Sequence, residues 1–258
     1  MLGSTTPRGP TCNVRLPVGY RDGAGKEHRD AVLRKITGHE ESLLYDPNLN
    51  PGKLVTSLLG ACLVELGDLE AVDAKLVGQL LSSDRNYLLL QLRRFTLGDR
   101  LTAAYRCPSC QANVSVTEDL STVRIRELGE GERLEPTVVE LTDGYLDPEG
   151  TVHRRVELTA PRGVDEELVG LLARKDPLRA QDALVLRCIR SFGTLRPAVL
   201  SGSGVEILRS LPLGDRRAIV RAINELTLGP DFRRDIECRA CGHGFEVLLD
   251  VSSFFGDG

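Results

Sequence analysis

Cys107-Pro-Ser-Cys110 and Cys238-Arg-Ala-Cys241 are two Cys-x-x-Cys pairs, one near the end of each half of a chain that reads onto itself. Leu16, Gly19, Tyr20, Asp22, Gly25, His28 and Arg29 recur as Leu141, Gly144, Tyr145, Asp147, Gly150, His153 and Arg154. Cys62 and Gly67 recur as Cys188 and Gly193, Asp84-Arg85 as Asp215-Arg216, and Thr96-Leu97-Gly98 as Thr227-Leu228-Gly229. Asp119 recurs as Asp250. One dithiol per copy predicts a single four-thiolate metal site on a pseudo-two-fold axis, and a scaffold before an enzyme.

Working outward from the two knuckles, each lies between short stretches of alternating apolar and polar residues, which read as hairpins: Leu101–Tyr105 with Ala112–Thr117, and Ile236–Leu249. Upstream, Asn13–Leu16 and Asp30–Leu33 form an opening hairpin around Gly19-Tyr-Arg-Asp-Gly-Ala-Gly25. Gly38–Leu44 starts a helix with acids in its first turn. Lys53–Leu66 and Arg85–Phe95 carry apolar residues at helical spacing, with Ser82-Ser-Asp84 as an N-cap cluster and Gly98 as a stop. In the second half, strands are expected around Val138–Leu141 and His153–Leu158, and helices over Val164–Arg174, Ala180–Ser191 and Gly214–Leu226, while Gly202–Leu211 corresponds to Ala74–Leu81, a stretch whose pattern selects neither helix nor strand. The fold class is α+β: two pseudo-symmetric repeats, each a β-hairpin, a helical middle and a knuckle hairpin. Residues 1–12 read as a flexible arm, 13–126 as repeat one, 127–136 as a charged, Gly-containing linker and 137–258 as repeat two. Phe254-Phe255 reads as an aromatic pair tucked onto the core, with an exposed docking pair as the alternative.

The chain has 258 residues, 41% hydrophobic and 27% charged, with net charge −4. These values fit a globular protein, and no basic field points to DNA or RNA. Apolar runs such as Leu58–Leu66 are too short to span a membrane, and Met1–Pro10 has no apolar signal core. A reduced cytosolic compartment makes Cys pairs metal-binding or catalytic more often than structural disulfides.

Structural Zn²⁺ prefers four thiolate or imidazole ligands in a tetrahedron, and each Cys-x-x-Cys turn supplies one edge. The candidate ligands are Cys107, Cys110, Cys238 and Cys241, holding one structural Zn²⁺ per chain. The alternatives are a separate site per copy, completed by histidine (His243 lies beside the second pair) or by another subunit, and no metal at all. Four sulfurs leave no open position for water, so such a site stabilises and does not catalyse. Cys62 and Cys188 read as core residues. His28 and His153 read as cross-strand contacts, and Asp84-Arg85 and Asp215-Arg216 as helix N-cap plus exposed charge. Glu40-Glu41 and Glu166-Glu167 read as N-terminal helix acids. No P-loop, nucleophile elbow, His-Glu-x-x-His or dinucleotide fingerprint occurs.

The ordered set Thr37-Gly38-His39-Glu40-Glu41, an apolar helix with a central Cys62, Asp84-Arg-Asn-Tyr-Leu-Leu-Leu-Gln-Leu-Arg93, Leu97-Gly98-Asp99, the Cys107 knuckle and Asp119-Leu120 resembles the T4-type baseplate hub protein family of contractile phage tails and injection systems. The second copy departs from the pattern: Arg93 becomes Asn224, Pro108 becomes Arg239, and the helix start becomes Arg162-Gly163-Val-Asp-Glu166. The resemblance implies a non-enzymatic baseplate or hub component whose partners are other baseplate, hub or tail proteins. The net charge of −4 with 4% aromatics argues against nucleic acid, the short apolar runs argue against membrane insertion, and no small-molecule substrate is expected. The chain would be made in a bacterial cytoplasm and assembled into a phage-tail-like particle. The alternatives are an assembly chaperone that leaves before the particle is finished, and a zinc-ribbon accessory protein that binds nucleic acid.

Overall fold

The computed structural model describes residues 9–173, 175–249 and 254–255. The expected arm is therefore described only from Gly9, and Arg174 and Asp250 lie outside the described residues.

The first half opens on β1 (Thr11–Arg21) and β2 (Glu27–Arg34), antiparallel, turning through Asp22–Lys26 with Gly25 at φ 83°. The pairing slips between Arg15 and Tyr20, where Gly19 takes φ 100°. A Cβ there would stand 2.5 Å from Arg29 Cγ, so only glycine fits the bulge. Helix α1 (Gly38–Leu44) starts on a capping box, Thr37 with Glu40, as its sequence predicts. Helix α2 (Pro51–Cys62), capped by Asn50, ends four residues before the expected Leu66 and passes straight into β3 (Leu63–Leu66). The apolar run does not separate helix from strand. The free edge of β2 does, because β3 pairs with it and buries Leu63 and Leu66. Helices α3 (Ala74–Gln79) and α4 (Ser82–Leu97) complete the helical middle, and β4 (Arg100–Arg106) with β5 (Asn113–Asp119) forms the first knuckle hairpin.

The short strand β6 (Ile125–Arg126) leads into a connection without regular secondary structure, pinned where Leu128 N–H donates to Pro17 O (2.9 Å). The second half runs through a closely similar order: β7 (Thr137–Leu146), β8 (Val152–Leu158), α5 (Gly163–Ala173), α6 (Pro177–Cys188), β9 (Ile189–Phe192), α7 (Pro197–Ser210) and α8 (Leu213–Leu226). Strand β10 (Gly229–Pro230) pairs with β6, and β11 (Arg233–Glu237) with β12 (Gly244–Leu248) makes the second knuckle hairpin. As in the first half, the helix expected to reach Ser191 stops at a cysteine, Cys188, and gives way to a strand on the edge of β8.

Among the described residues, four apolar clusters hold the molecule together. Two lie under the three-stranded sheets, one in each half. A third joins Leu89 and Leu90 of α4 to Leu120, Phe232, Leu249 and Phe254. Phe254 is fully buried, edge-on to Phe232 (ring centroids 5.7 Å apart), so the aromatic pair serves the core and the exposed docking alternative falls. The fourth cluster lies between the two knuckle hairpins.

The halves meet one-sidedly. Helix α5 packs along α2, α3 and α4, while no comparable packing joins α1 to α6, α7 or α8 among the described residues. The expected pseudo-two-fold axis would require both. Backbone bonds from Ser82 N–H to Pro161 O (2.9 Å) and from Gly163 N–H to Leu80 O (3.0 Å) stitch this contact.

Candidate metal centre

Each knuckle is a tight turn closing a two-stranded hairpin. Cys107 N–H donates to Ala112 O and Gln111 N–H returns to Cys107 O; Cys238 N–H donates to His243 O and Gly242 N–H returns to Cys238 O. The residue after each second cysteine is left-handed, Gln111 at φ 62° and Gly242 at φ 71°. That conformation folds the chain back and aims both sulfurs of a pair to one side.

The four sulfurs of Cys107, Cys110, Cys238 and Cys241 all lie within 4.8 Å of one another, close enough to hold a metal ion. Across the hairpins, Cys107 Sγ stands 3.8 Å from Cys241 Sγ and Cys110 Sγ 3.6 Å from Cys238 Sγ. Sulfurs about 2.3 Å from a tetrahedral zinc stand about 3.8 Å apart. The donor set and its spacing therefore fit zinc. Cys107 and Cys238 are buried and Cys110 and Cys241 exposed, so the cluster sits at a rim with one sulfur of each pair turned inward. The backbone N–H of Cys110, helped by that of Ser109, holds the Cys107 thiol down to about 6 against burial. The Ala112 N–H pulls the Cys110 thiol down, yet the crowded sulfurs of Cys241, Cys238 and Cys107 push it up to about 12. One cluster member is thus ready as a thiolate, the form that binds metal. His243 is exposed, stacks on Phe245 and stands outside the cluster.

The remaining residues singled out in the sequence fall elsewhere. Cys62 and Cys188 are fully buried, with thiols pushed up by burial to about 11 and about 12, which makes them inert core residues. His28 and His153 do face Tyr20 and Tyr145 across their hairpins, but both are also buried and bonded to Asp22 (3.0 Å) and Asp147 (2.9 Å).

The N-cap reading of Asp84 and Asp215 is overturned. Ser82, Ser83 and Asp84 lie inside α4, which starts without a side-chain cap. Asp84 accepts the N–H groups of Val18 and Gly19 (both 2.9 Å), and Asp215 those of Thr142, Asp143 and Gly144. Each carboxylate thus satisfies the donors that a β-bulge leaves unpaired. Nor is Arg85 an exposed charge: it is fully buried and donates to Gly52 O (2.9 Å), Thr56 Oγ1 (2.8 Å) and Glu166 (3.0 Å) of α5. Arg216 bonds instead within its own half, to Asp182 (2.6 Å) and Leu208 O. Glu40 and Glu166 do sit in first turns, and each also carries an arginine, Arg34 and Arg85.

A mixed α+β chain whose two Cys-x-x-Cys hairpins converge on one cluster is the class this geometry defines. The family model described as T4 bacteriophage base plate protein matches residues 12–191, more than two thirds of the chain. This protein belongs to that family. The match runs through the first half, including Cys107 and Cys110, and ends at β9, so Cys238 and Cys241 lie beyond it. No curated protein and no solved structure matches the chain. No helix among the described residues is long and apolar enough to cross a membrane.

Proposed function

We propose that this protein is a non-enzymatic structural component of the baseplate or hub of a contractile injection system or phage-tail-like particle, made of two copies of one unit stapled by a single Zn²⁺. The observation that carries the reading is the convergence of Cys107, Cys110, Cys238 and Cys241, far apart in sequence, in a chain of the base plate family. Bound there, zinc would supply cross-linking and folding free energy without an open coordination position. Duplication is supported by the matching element order and by the matched pairs Asp84 and Asp215, His28 and His153, and Gly67 and Gly193, each in the same local role. The partners are other baseplate, hub or tail proteins; the net charge of −4 supports protein rather than nucleic-acid contacts. The chain is made in the bacterial cytoplasm and carried into the particle.

Quantitative mass spectrometry of purified sheathed particles tests this reading. A fixed ratio of this chain to sheath and tube subunits is the expected result. Presence with unassembled tail proteins but absence from finished particles would make it an assembly factor. Absence from both would overturn the reading.

A further inference from the structure

The face of α2 and α4 that receives α5 has a counterpart in the second half that receives no helix among the described residues. Helices α2 and α6 are twelve residues each and run directly into four-residue strands, and Asp84-Arg85 of α4 corresponds to Asp215-Arg216 of α8. On that alignment Gly52, Thr56, Ser82 and Arg85 correspond to Leu178, Asp182, Leu213 and Arg216. The first four are all buried, under or beside α5. At the second set the surface is an open groove of about 490 Å³ between α6 and α8, with Leu178 60% and Leu213 61% exposed on it.

Two differences say what the open groove takes. First, in the first half a carboxylate from α5 meets Arg85. In the second, Asp182 of the same half already holds Arg216 (2.6 Å) and Arg209 (2.8 Å). The floor of the groove needs no acid from outside and offers the half-buried Val185 and Val220 as apolar surface. Second, Gly52 allows backbone contact, since a Cβ there would stand 2.7 Å from Glu167 N. Leu178 in its place holds an incoming helix off at side-chain distance. On the lip, Arg217 and Arg221 lie one turn apart on α8, both exposed, and neither forms an ion pair among the described residues.

We infer that the groove between α6 and α8 docks an amphipathic helix of a partner protein, its apolar face against Leu178, Leu213 and Val220 and its carboxylate flank against Arg217 and Arg221. It is the intermolecular counterpart of the seat that α5 takes inside the chain. The inference rests on the reading of the chain as two copies with a protein-binding role.

The test is a photo-cross-linking residue at Leu213 of the full chain, irradiated in intact producing cells, with the cross-linked peptide sequenced from particle and soluble fractions. A peptide from another protein, with leucine-type residues at helical spacing flanked by Asp or Glu, is expected. R217E/R221E should lower its yield about tenfold without changing the melting temperature, as loss of a charged lip does. A cross-link to a second copy of this chain overturns the proposal, as does a partner peptide without that pattern. So does no cross-link from Leu213 where a control position on the chain gives one, or a yield that R217E/R221E leaves unchanged. The expected peptide in the soluble fraction alone, with the chain missing from particles, would uphold the groove and overturn the baseplate component.

Discussion

Arg85 of α4 donates to Glu166 of α5 at 3.0 Å, a buried arginine of one half meeting a carboxylate of the other. Thr56 and the Gly52 carbonyl hold the same guanidinium, and Thr56 also contacts Glu167. Burial lowers the Arg85 pKa and raises that of Glu166, and the opposite charge of the partner works against both shifts. Glu166→Ala should destabilise the chain by about 3–5 kcal/mol, because it strands a buried guanidinium. Adding Arg85→Met should recover part of that loss in urea titrations. Additive losses would mean that the pair is not coupled.

Metal analysis of protein purified without chelators should find one zinc per chain. Changing Cys107 and Cys110 to serine, or Cys238 and Cys241, should bring it to zero in either case. A ligand present at about a thousandfold over its Kd contributes ~4 kcal/mol of stability. Either double variant, or chelation of the parent, should therefore lower the melting temperature by a comparable amount. Zinc retained by the remaining pair would indicate separate sites.

The two bulge carboxylates should titrate in opposite senses. Burial pushes Asp84 up to about 6, although Val18 and Gly19 N–H groups oppose it. Its folded pKa is raised, so its contribution is present below about 3.8 and is lost as pH rises to about 6, on the order of 3 kcal/mol. For Asp215 burial also pushes upward, but three N–H groups from Gly144, Thr142 and Asp143 outweigh it and the pKa falls. That contribution is present above the ordinary carboxylate range and is lost as pH falls below it. Unfolding free energies of Asp84→Asn and Asp215→Asn measured against pH should each lose one of these slopes. The same slope lost in both would contradict the assignment.

Gly67 and Gly193 have φ 56° and 51°, and a Cβ on either would stand 2.6 Å from Nδ1 of His28 or His153. Gly67→Ala and Gly193→Ala should each cost more than about 2 kcal/mol, strain and clash together. Gly25 has φ 83° with nothing within 4 Å of its Cβ position. Gly25→Ala should cost about 1 kcal/mol, the backbone part alone. Equal costs at Gly67 and Gly25 would remove the histidine from the explanation.

Phe254 fills the cluster against α4. Phe254→Ala should cost ~3–5 kcal/mol and lower the melting temperature correspondingly. An unchanged melting curve would place this ring outside the folding unit.

Local chemistry was legible wherever neighbours in sequence supply it. Thr37 and Glu40 cap α1, alternation marks the hairpins, and Cys-x-x-Cys turns carry their own geometry. Helix ends at Cys62 and Cys188 were not legible, since an apolar residue suits a helix face and a buried strand equally. Asp84-Arg85 was misread because a cap and a buried bulge ligand use the same residue types. What separates them is a partner more than sixty residues away.

By itself, the sequence determined most of the candidate elements, the four cysteines and the family resemblance, because propensities, turn residues and dithiol spacing act over a few residues. Only the tertiary structure decided that α5 seats on α2 and α4, that Arg85 meets Glu166, and that the groove beside Leu178 stays open. Those outcomes turn on glycine against leucine at matching positions, Gly52 and Leu178. Such a difference has no local signature and acts only when two helices approach within contact distance.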